Sequence, residues 1–151
     1  MKKLIGLVVG MVLLASCQPN QLQDLDYAGR IAGDYSYKIS GIAVVNGDSV
    51  LLADEIGAME IVRIDSVKAL VTFNALNGPA YYTYMEVDGQ ELSLEPYERN
   101  LRVNLADYAI VGSGEGTVYD KTILIDLQYE MQQASANGLT AEKLTLLCKK
   151  N

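Results

Sequence analysis

The fold prediction depends on one stretch of sequence, Ile110-Val111-Gly112-Ser113-Gly114-Glu115-Gly116-Thr117-Val118. Its three glycines recur at every second residue, and alternate residues of a β-strand lie on the same face. If the stretch is one strand, that face carries a row of positions without side chains. Such a row lets a strand coil sharply, or lets another backbone or side chain lie against it. A small closed barrel needs this freedom at its corners, so the stretch favours a barrel.

Two other interpretations of the glycine row remain open at this point. A phosphate-binding loop is rich in glycine, but it needs a helix after it, whereas residues 117–129 are β-branched and alternating. A plain flexible hairpin loop also fits the composition. The sequence favours a bent barrel strand over either loop.

Segments on both sides of the glycine row predict further strands. Tyr35, Tyr37 and Ile39 alternate with polar residues, which is typical of a half-buried strand. Asn46-Gly47 and Asp88-Gly89 each separate two strand-like runs, and both dipeptides are strong hairpin signals because their residues tolerate positive φ. Residues 31–151 therefore read as eight to ten short strands with no long helix. This predicts an all-β domain, an antiparallel up-and-down β-barrel of about eight strands, with a β-sandwich as the alternative.

Several segments between the predicted strands read as loops. Asn77-Gly78-Pro79 ends a strand over 68–75, because proline cannot donate a hydrogen bond to a neighbouring strand. Glu95 to Asn100 is predicted to be a loop. Glu130 to Gly138 is predicted to be a loop or one or two helical turns ended by Asn137-Gly138.

The amino-terminal residues predict a secreted protein. Met1-Lys2-Lys3 is a short basic start, and Leu4 to Leu13 is an apolar run of about ten residues. That run is too short to cross a bilayer, which needs roughly 20 residues, and its length matches a signal-peptide core. Residues 1–16 are therefore interpreted as a signal peptide.

The next residues resemble the lipobox of bacterial lipoproteins. Leu14-Ala15-Ser16-Cys17 has the aliphatic residue, two small residues and cysteine of that motif. The resemblance implies cleavage between Ser16 and Cys17, acylation of the Cys17 thiol, and a lipidated tether over 17–30. By the sorting rule of such lipoproteins, Gln18 implies the outer membrane, with the periplasmic or surface face left open. An ordinary secretory signal is the alternative.

A family resemblance extends over about residues 31–150. It rests on Gly33-Asp34-Tyr35, on the Gly-rich run of residues 112–119 leading into Thr122 to Tyr129, and on a Leu-rich last strand followed by Lys149-Lys150. Together these resemble the small lipocalin-like, or calycin-like, lipoproteins of Gram-negative bacteria. The resemblance implies an eight-stranded barrel with an internal apolar cavity for a hydrophobic small molecule. Calycins usually have Trp in place of Tyr35 and an Arg packed over it, whereas here the nearest basic residue is taken to be Lys149.

Composition excludes several classes of function. The chain has 151 residues, a net charge of −7 and no His. Nucleic-acid binding needs clustered Lys and Arg, which this chain lacks. Without His there is no Ser-His or Cys-His pair and no imidazole metal site.

Three carboxylate pairs, Asp24/Asp26, Asp54/Glu55 and Glu95/Glu98, are interpreted as solvated charges in turns or the tether. We expect no catalytic residue, no metal and no cofactor, although an unrecognised hydrolase is left open.

Tyrosine is the most informative surplus. The chain has ten Tyr, one Phe and no Trp. Tyr combines a flat apolar face with a hydrogen-bonding tip, which suits a mixed pocket, although the same residues would also serve to pack a barrel. The candidate ligand-binding residues are Tyr35, Tyr37, Phe73, Tyr82 and Tyr84.

Cys148 alternates in step with Leu144 and Leu146 and is predicted to be a small buried apolar residue.

Two functions follow from these observations. The first is a lipid-anchored cell-envelope protein that binds a small hydrophobic or amphipathic ligand in its barrel. The alternative is a non-enzymatic protein-interaction module, or an accessory subunit of an envelope complex. The alternative predicts a solid core and an exposed apolar patch.

Overall fold

The computed structural model describes residues 25–103, 106–131 and 139–151. The predicted signal peptide, the predicted cleavage and lipidation residues Ser16 and Cys17, and residues 17–24 of the predicted tether lie outside the described residues. So does almost all of the segment from Glu130 to Gly138, for which a loop or helical turns were predicted. Within the described ranges no helix is long and apolar enough to cross a membrane.

The described ranges fold into a closed antiparallel barrel. Its elements are α1 Tyr27–Ile31, β1 Gly33–Val45, β2 Asp48–Leu51, β3 Glu55–Arg63, β4 Lys68–Ala75, β5 Tyr81–Asp88, β6 Glu91–Val103, β7 Ala106–Tyr119, β8 Thr122–Met131 and β9 Leu139–Lys150. Each strand pairs with the next along the chain, except that β3 pairs with β1, and β9 returns to pair with β1. Eight strands, β1 and β3–β9, form the ring, and the short β2 adds to the second half of β1. The barrel prediction is confirmed, and the sandwich alternative is wrong.

The hairpin turns follow their local sequence. Asn46 and Gly47 connect β1 and β2 with φ values of 54° and 88°, as a type I′ turn requires. Between β5 and β6 the turn residues are Gly89 and Gln90, one position later than predicted. Gly89 has a φ of 66°, so a glycine occupies the first turn position, as in a type II′ turn.

The glycine row lies inside β7, where neighbouring atoms take the space of the missing side chains. A Cβ atom on Gly112 would lie 2.6 Å from Cζ of Tyr97, and one on Gly114 would lie 2.7 Å from Cγ2 of Ile125. On Gly116 it would collide with the carbonyl oxygen of Leu124. β7 pairs along this stretch with both β6 and β8, and a turn and a strand follow it. The bent-strand interpretation is therefore confirmed, and both loop alternatives are wrong.

The short helix α1 covers one end of the barrel, which we call the closed end. Ala28 and Ile31 are buried there, and the Ala28 amide donates to the Ser66 carbonyl. Asp26 caps the helix by accepting from the Gly29 amide at 2.9 Å, and it forms an ion pair with Arg63. The end of the predicted tether is thus part of the folded unit.

Tyr35 and Lys150 pack together at the closed end. The Tyr35 hydroxyl donates to the Ile31 carbonyl at 2.7 Å, and burial raises the pKa of this side chain to about 12. The Lys150 ammonium lies 5.7 Å from the centre of the Tyr35 ring and donates to the Ala32 carbonyl. The basic residue over the ring is therefore Lys150, and not Lys149 as expected. Successive strand residues face opposite sides, so Lys149 is exposed.

Cys148 is fully buried in β9, as predicted. Its Sγ lies 3.7 Å from Sδ of Met59. Burial raises the pKa of the thiol to about 12, which disfavours the reactive thiolate.

Replacing Gly116 with Ala tests the role of the glycine row. The new methyl group would collide with the Leu124 carbonyl, so β7 and β8 would have to move apart. We expect the free energy of unfolding to fall by about 1–3 kcal/mol, measured by urea denaturation. Ser113→Ala, on the same strand, is the control and is expected to change it by less than about 0.5 kcal/mol. Equal stability of the two variants would contradict this account.

Candidate ligand-binding cavity

A cavity of about 650 Å³ lies at the end of the barrel opposite α1. It is open to solvent at this end, where β3 and β5 begin and β4 ends. Inward-facing residues from several strands line it, together with the β4–β5 loop. The residues that line it include Ile39, Leu52, Glu55, Ala75, Tyr81, Arg99, Leu101, Tyr129 and Leu144.

Arg99 reaches the cavity because the predicted loop from Glu95 to Asn100 is in fact part of β6. That prediction was wrong. The register with β7 shifts between Leu94 and Tyr97, which marks a β-bulge around Pro96. A bulge tolerates a residue without an amide hydrogen, so proline does not end the strand here. Beyond the bulge Tyr97, Arg99 and Leu101 alternate toward the interior.

Glu55 and Arg99 form an ion pair in the barrel wall beside the cavity. Nη2 of Arg99 donates to Oε2 of Glu55, and Nη1 lies 3.2 Å from Oε1. Oε1 also accepts from the hydroxyls of Tyr37 at 2.9 Å and Tyr81 at 2.8 Å. The Glu55 and Arg99 side chains are only 20% and 10% exposed. The interpretation of Glu55 as a solvated turn charge was therefore wrong, while its neighbour Asp54 is a half-exposed charge paired with Lys38.

The surroundings of Glu55 favour its charged form. Burial raises the pKa of its carboxyl group, but the hydrogen bonds and positive charge of Arg99, with the two tyrosine hydroxyls, outweigh burial and leave the pKa below its ordinary value. A lowered folded-state pKa stabilises the fold above the unfolded-state pKa. This stabilisation is lost as the pH falls through the folded-state value.

Stacked aromatic rings fill the barrel beside the ion pair. Phe73 and Tyr81 stack with their centres 4.8 Å apart, and Tyr81 and Tyr97 stack at 5.5 Å. Tyr37 meets Phe73 edge to face at 5.3 Å. The guanidinium carbon of Arg99 lies 4.3 Å from the centre of the Tyr81 ring, so a cation–π contact adds to the ion pair. Tyr81 is the member of this stack that lines the cavity.

Three buried polar atoms near the ion pair make no hydrogen bond of good geometry. They are Oη of Tyr97, Nε of Arg99 and Oη of Tyr129. Tyr97 and Tyr129 are both register partners of Gly112, so the two tyrosines lie on either side of a position without a side chain. Burial raises the pKa of both tyrosines, and hydrogen-bond contacts of the Tyr129 hydroxyl with Tyr97 and with Arg99 also act on these pKa values.

The structure places the predicted ligand-binding residues elsewhere. Tyr35 is at the closed end, and Tyr37 and Phe73 are buried in the aromatic stack. Tyr82 and Tyr84 are 68% and 39% exposed on the outer face of β5. None of the five lines the cavity.

Sequence reasoning missed four residues that do line the cavity. They are Glu55, Tyr81, Arg99 and Tyr129. The sequence of β5 did contain a signal that Tyr81 faces the interior, because Tyr82 and Tyr84 lie on the same face as the charged residues Glu86 and Asp88. Such a face is typical of the solvent side of a sheet, which places Tyr81 inside.

A second, more open depression of about 910 Å³ lies nearer the closed end. The depression is acidic, and its charged lining residues are Glu86, Asp88, Glu91, Glu115 and Asp126. These carboxylates form no metal site, because along the described chain no three His, Cys, Asp or Glu side chains are placed to hold a metal ion.

Comparisons with known proteins identify a fold and no family. No protein-family model matches the chain, and no curated protein sequence is significantly similar to it. A solved structure of EF1p2_mFAP2b bound to DFHBI matches with a TM-score of 0.51 and 11% identity, covering 83% of this chain and 98% of that one. A redesigned beta barrel, b11L5F_LGL, matches with a TM-score of 0.49 and 9% identity, covering 83% and 96%. At 11% identity the first likeness shows a shared β-barrel fold and nothing beyond the fold.

Replacing Arg99 with Met tests the buried ion pair. The variant leaves Glu55 buried without its partner, so we expect the free energy of unfolding at pH 7 to fall by about 3–5 kcal/mol. The loss should shrink as the pH falls, because burial without Arg99 raises the pKa of Glu55 in the variant, which therefore takes up a proton at a higher pH than the wild type does. Urea denaturation at pH 7 and pH 4 measures both effects.

Arg102→Met is the matched control for this prediction. Arg102 is 67% exposed, and its Nε lies 3.9 Å from Asp107. We expect a change of less than about 0.5 kcal/mol at either pH. Similar losses in the two variants, or a loss for Arg99→Met that does not depend on pH, would contradict a buried ion pair.

Proposed function

We propose that the protein binds a small hydrophobic or amphipathic molecule in the cavity at the open end of the barrel. The cavity carries this proposal. Its volume of about 650 Å³ falls within the range of about 300–1,000 Å³ that holds small ligands. Its lining combines apolar side chains such as Leu52, Leu101 and Leu144 with the buried polar side chains of Arg99 and Tyr129. Exposed charged residues also line it, namely Asp54, Glu98, Arg102 and Asp107. A few polar groups in an apolar cavity are typical of small-molecule sites. The likeness to EF1p2_mFAP2b, which is bound to DFHBI, gives further support.

The binding role that we propose is non-enzymatic. The chain contains no His, and Glu55 is the most buried carboxylate beside the cavity. Its oxygens already accept hydrogen bonds from Arg99, Tyr37 and Tyr81, and its lowered pKa opposes protonation near neutral pH. A general acid or base works best with a pKa near the operating pH, so this carboxylate is poorly suited to either role.

The alternative, a protein-interaction module, draws support from the outer face. Val62, Leu70 and Tyr84 are register partners across β3, β4 and β5 and form an apolar row there. Val62 and Tyr84 are 45% and 39% exposed. The alternative also requires a solid core, however, and the cavity at the open end favours ligand binding over it.

We also propose that the protein is a lipoprotein of the Gram-negative outer membrane, anchored through acyl chains on Cys17. This part rests on the lipobox-like residues Leu14-Ala15-Ser16-Cys17 and on Gln18. Two or more acyl chains suffice for stable anchoring. The described chain starts beside α1 at the closed end of the barrel.

Filling the cavity tests ligand binding. Ala75 lines the cavity, so Ala75→Trp should occupy part of it and weaken binding of the fluorescent probe N-phenyl-1-naphthylamine by at least about ten-fold. Ala58→Trp, on the outer face of the neighbouring strand, is the control and should bind like the wild type. Fluorescence titration of the purified barrel gives the affinities. No binding to the wild type, or an equal loss in both variants, would remove the proposal.

A separate experiment tests the anchor. The full chain, expressed in a Gram-negative host, should incorporate radiolabelled palmitate and sediment with the outer membrane. Cys17→Ser should incorporate no label and move to the soluble fraction, because the acylated thiol is absent. Cys148→Ser is the control and should remain labelled, since Cys148 is buried. An unlabelled wild-type protein would refute the anchoring proposal.

A further inference from the structure

The outer surface of the barrel carries a contiguous apolar patch on one side. Its members belong to β3, β4, β5 and the turn between β3 and β4, and we call the patch the apolar face; they are Val62, Ile64, Val67, Leu70, Tyr82 and Tyr84. Val62, Leu70 and Tyr84 are register partners, so their side chains are neighbours across three strands. Single exposed apolar residues are normal, whereas a contiguous patch marks an interaction surface.

The opposite side of the barrel is acidic. In the ring of eight strands β8 lies four strands from β4, which places it directly across the barrel. The outward-facing residues of β6, β7 and β8 include the exposed carboxylates Glu91, Glu98, Glu115, Asp126 and Glu130. Beside the apolar face, in contrast, the Lys68 ammonium pairs with Glu95 and lies 4.8 Å from the centre of the Tyr84 ring. The surface is therefore divided into an apolar side and an acidic side.

The chain enters the barrel at the edge of the apolar face. The Ala28 amide of α1 donates to the carbonyl of Ser66, which lies in the turn between β3 and β4. Leu25, the first described residue, is 57% exposed. Only seven residues separate Leu25 from Cys17, and the stretch between these two residues spans at most about 28 Å when fully extended. Acyl chains on Cys17 would therefore hold this edge of the barrel close to the bilayer.

The polar residues of this side favour a lipid surface over a protein partner. Glu60 and Thr72 lie in register with Tyr82, and Glu60 is exposed. A protein packed on the apolar face would remove the Glu60 carboxylate from water, which is costly for a charge. The headgroup layer of a bilayer is hydrated, so Glu60 can keep its water there. Tyrosine suits such a boundary, because its ring is apolar and its hydroxyl is polar.

Exposed apolar residues continue from this face to the rim of the cavity. Ile56 and Leu76 are 47% and 69% exposed, and the Leu76 amide donates to the Ile56 carbonyl. Ile56 also lines the cavity. Exposed apolar side chains of this side thus occur both where the chain enters the barrel and at the open end.

We propose that the apolar face rests on the headgroup layer of the membrane that anchors the protein, so that the barrel lies on its side next to its lipidated amino terminus. This inference rests on the proposed anchor, because it states how the anchored barrel is oriented. The orientation places the rim of the cavity at the lipid surface and turns the acidic side away from the bilayer. A hydrophobic ligand then passes between membrane and cavity without crossing water.

Site-specific quenching tests this orientation. Asn74 on β4 lies between Leu70 and Leu76, and Gln128 on β8 lies on the opposite side; both are exposed amides. Asn74→Cys and Gln128→Cys are each labelled with bimane in the full acylated chain, where Cys148 is buried and does not compete for the label. The labelled proteins are reconstituted in phosphatidylcholine vesicles that carry a nitroxide on part of the lipid headgroups.

We expect the label on Asn74→Cys to lose at least about half of its fluorescence, because an apolar face bound at a membrane surface reaches about 5–10 Å into the headgroup region. The label on Gln128→Cys should lose little. Equal quenching at the two sites, or no quenching at Asn74→Cys, would overturn the inference. If the unquenched Asn74→Cys protein also forms disulfide-linked dimers, the face belongs to a second copy of the chain instead.

A double substitution tests whether the apolar side chains make the contact. Val62→Ser together with Tyr84→Ser should lower the quenching of the Asn74→Cys label to near the Gln128→Cys level, because two apolar side chains of the face are removed. Tyr119→Ser, at a 56% exposed tyrosine outside the face, is the control and should leave the quenching unchanged. Quenching that persists undiminished in the double variant would overturn the inference.

Failure of this inference can be told apart from failure of the proposed anchor. A wild-type protein that incorporates palmitate and sediments with the membrane, but whose Asn74→Cys label is not quenched, overturns the orientation and leaves the anchor in place. A wild-type protein that incorporates no palmitate overturns both.

Discussion

The close approach of neighbouring groups to three glycines of β7 is the contact on which the rest of the barrel depends. β8 presses on Gly114 and Gly116 through Ile125 and the Leu124 carbonyl, at distances that a side chain would prevent. The Tyr97 ring lies over Gly112 in the same way. One row of missing side chains therefore lets the sheet curl at β7 and also makes room for the Tyr97 ring, which belongs to the aromatic stack beside the cavity. Fold and site share a single sequence feature.

The Glu55–Arg99 pair needs this packing around it. Removing two charges from water is costly, and their attraction compensates only when hydrogen bonds satisfy the remaining atoms. Tyr37 and Tyr81 supply those bonds to Glu55, and the Tyr81 ring contacts the guanidinium of Arg99. The aromatic stack holds these tyrosines in place. The pair thus fixes a polar group of balanced charge in the wall of the cavity.

Local sequence patterns were sufficient to predict the fold but not the site. Alternation, the Asn46-Gly47 turn and the glycine row each act over a few residues, and together they specify strands, hairpins and a bend. Glu55 and Arg99 lie 44 residues apart, and only the register of the whole barrel brings them together. Pro96 also interrupted the alternation that would have placed Tyr97 and Arg99 inside. On β5, tyrosines occur on both faces, so counting aromatic residues did not show which of them face the interior.

Closure of the ring between β1 and β9 has a consequence for how the chain reaches this structure. The first and last strands of the barrel pair over eleven positions, from Tyr35 with Lys150 to Val45 with Leu139. Contacts between such distant parts of a chain raise the contact order, which slows folding because a long loop must be closed before the contacts form. Until the carboxyl-terminal strand is available, β1 and β8 each present an unpaired edge, and such edges promote aggregation. Shielding of these two edges during synthesis would therefore favour folding of such a chain over its aggregation.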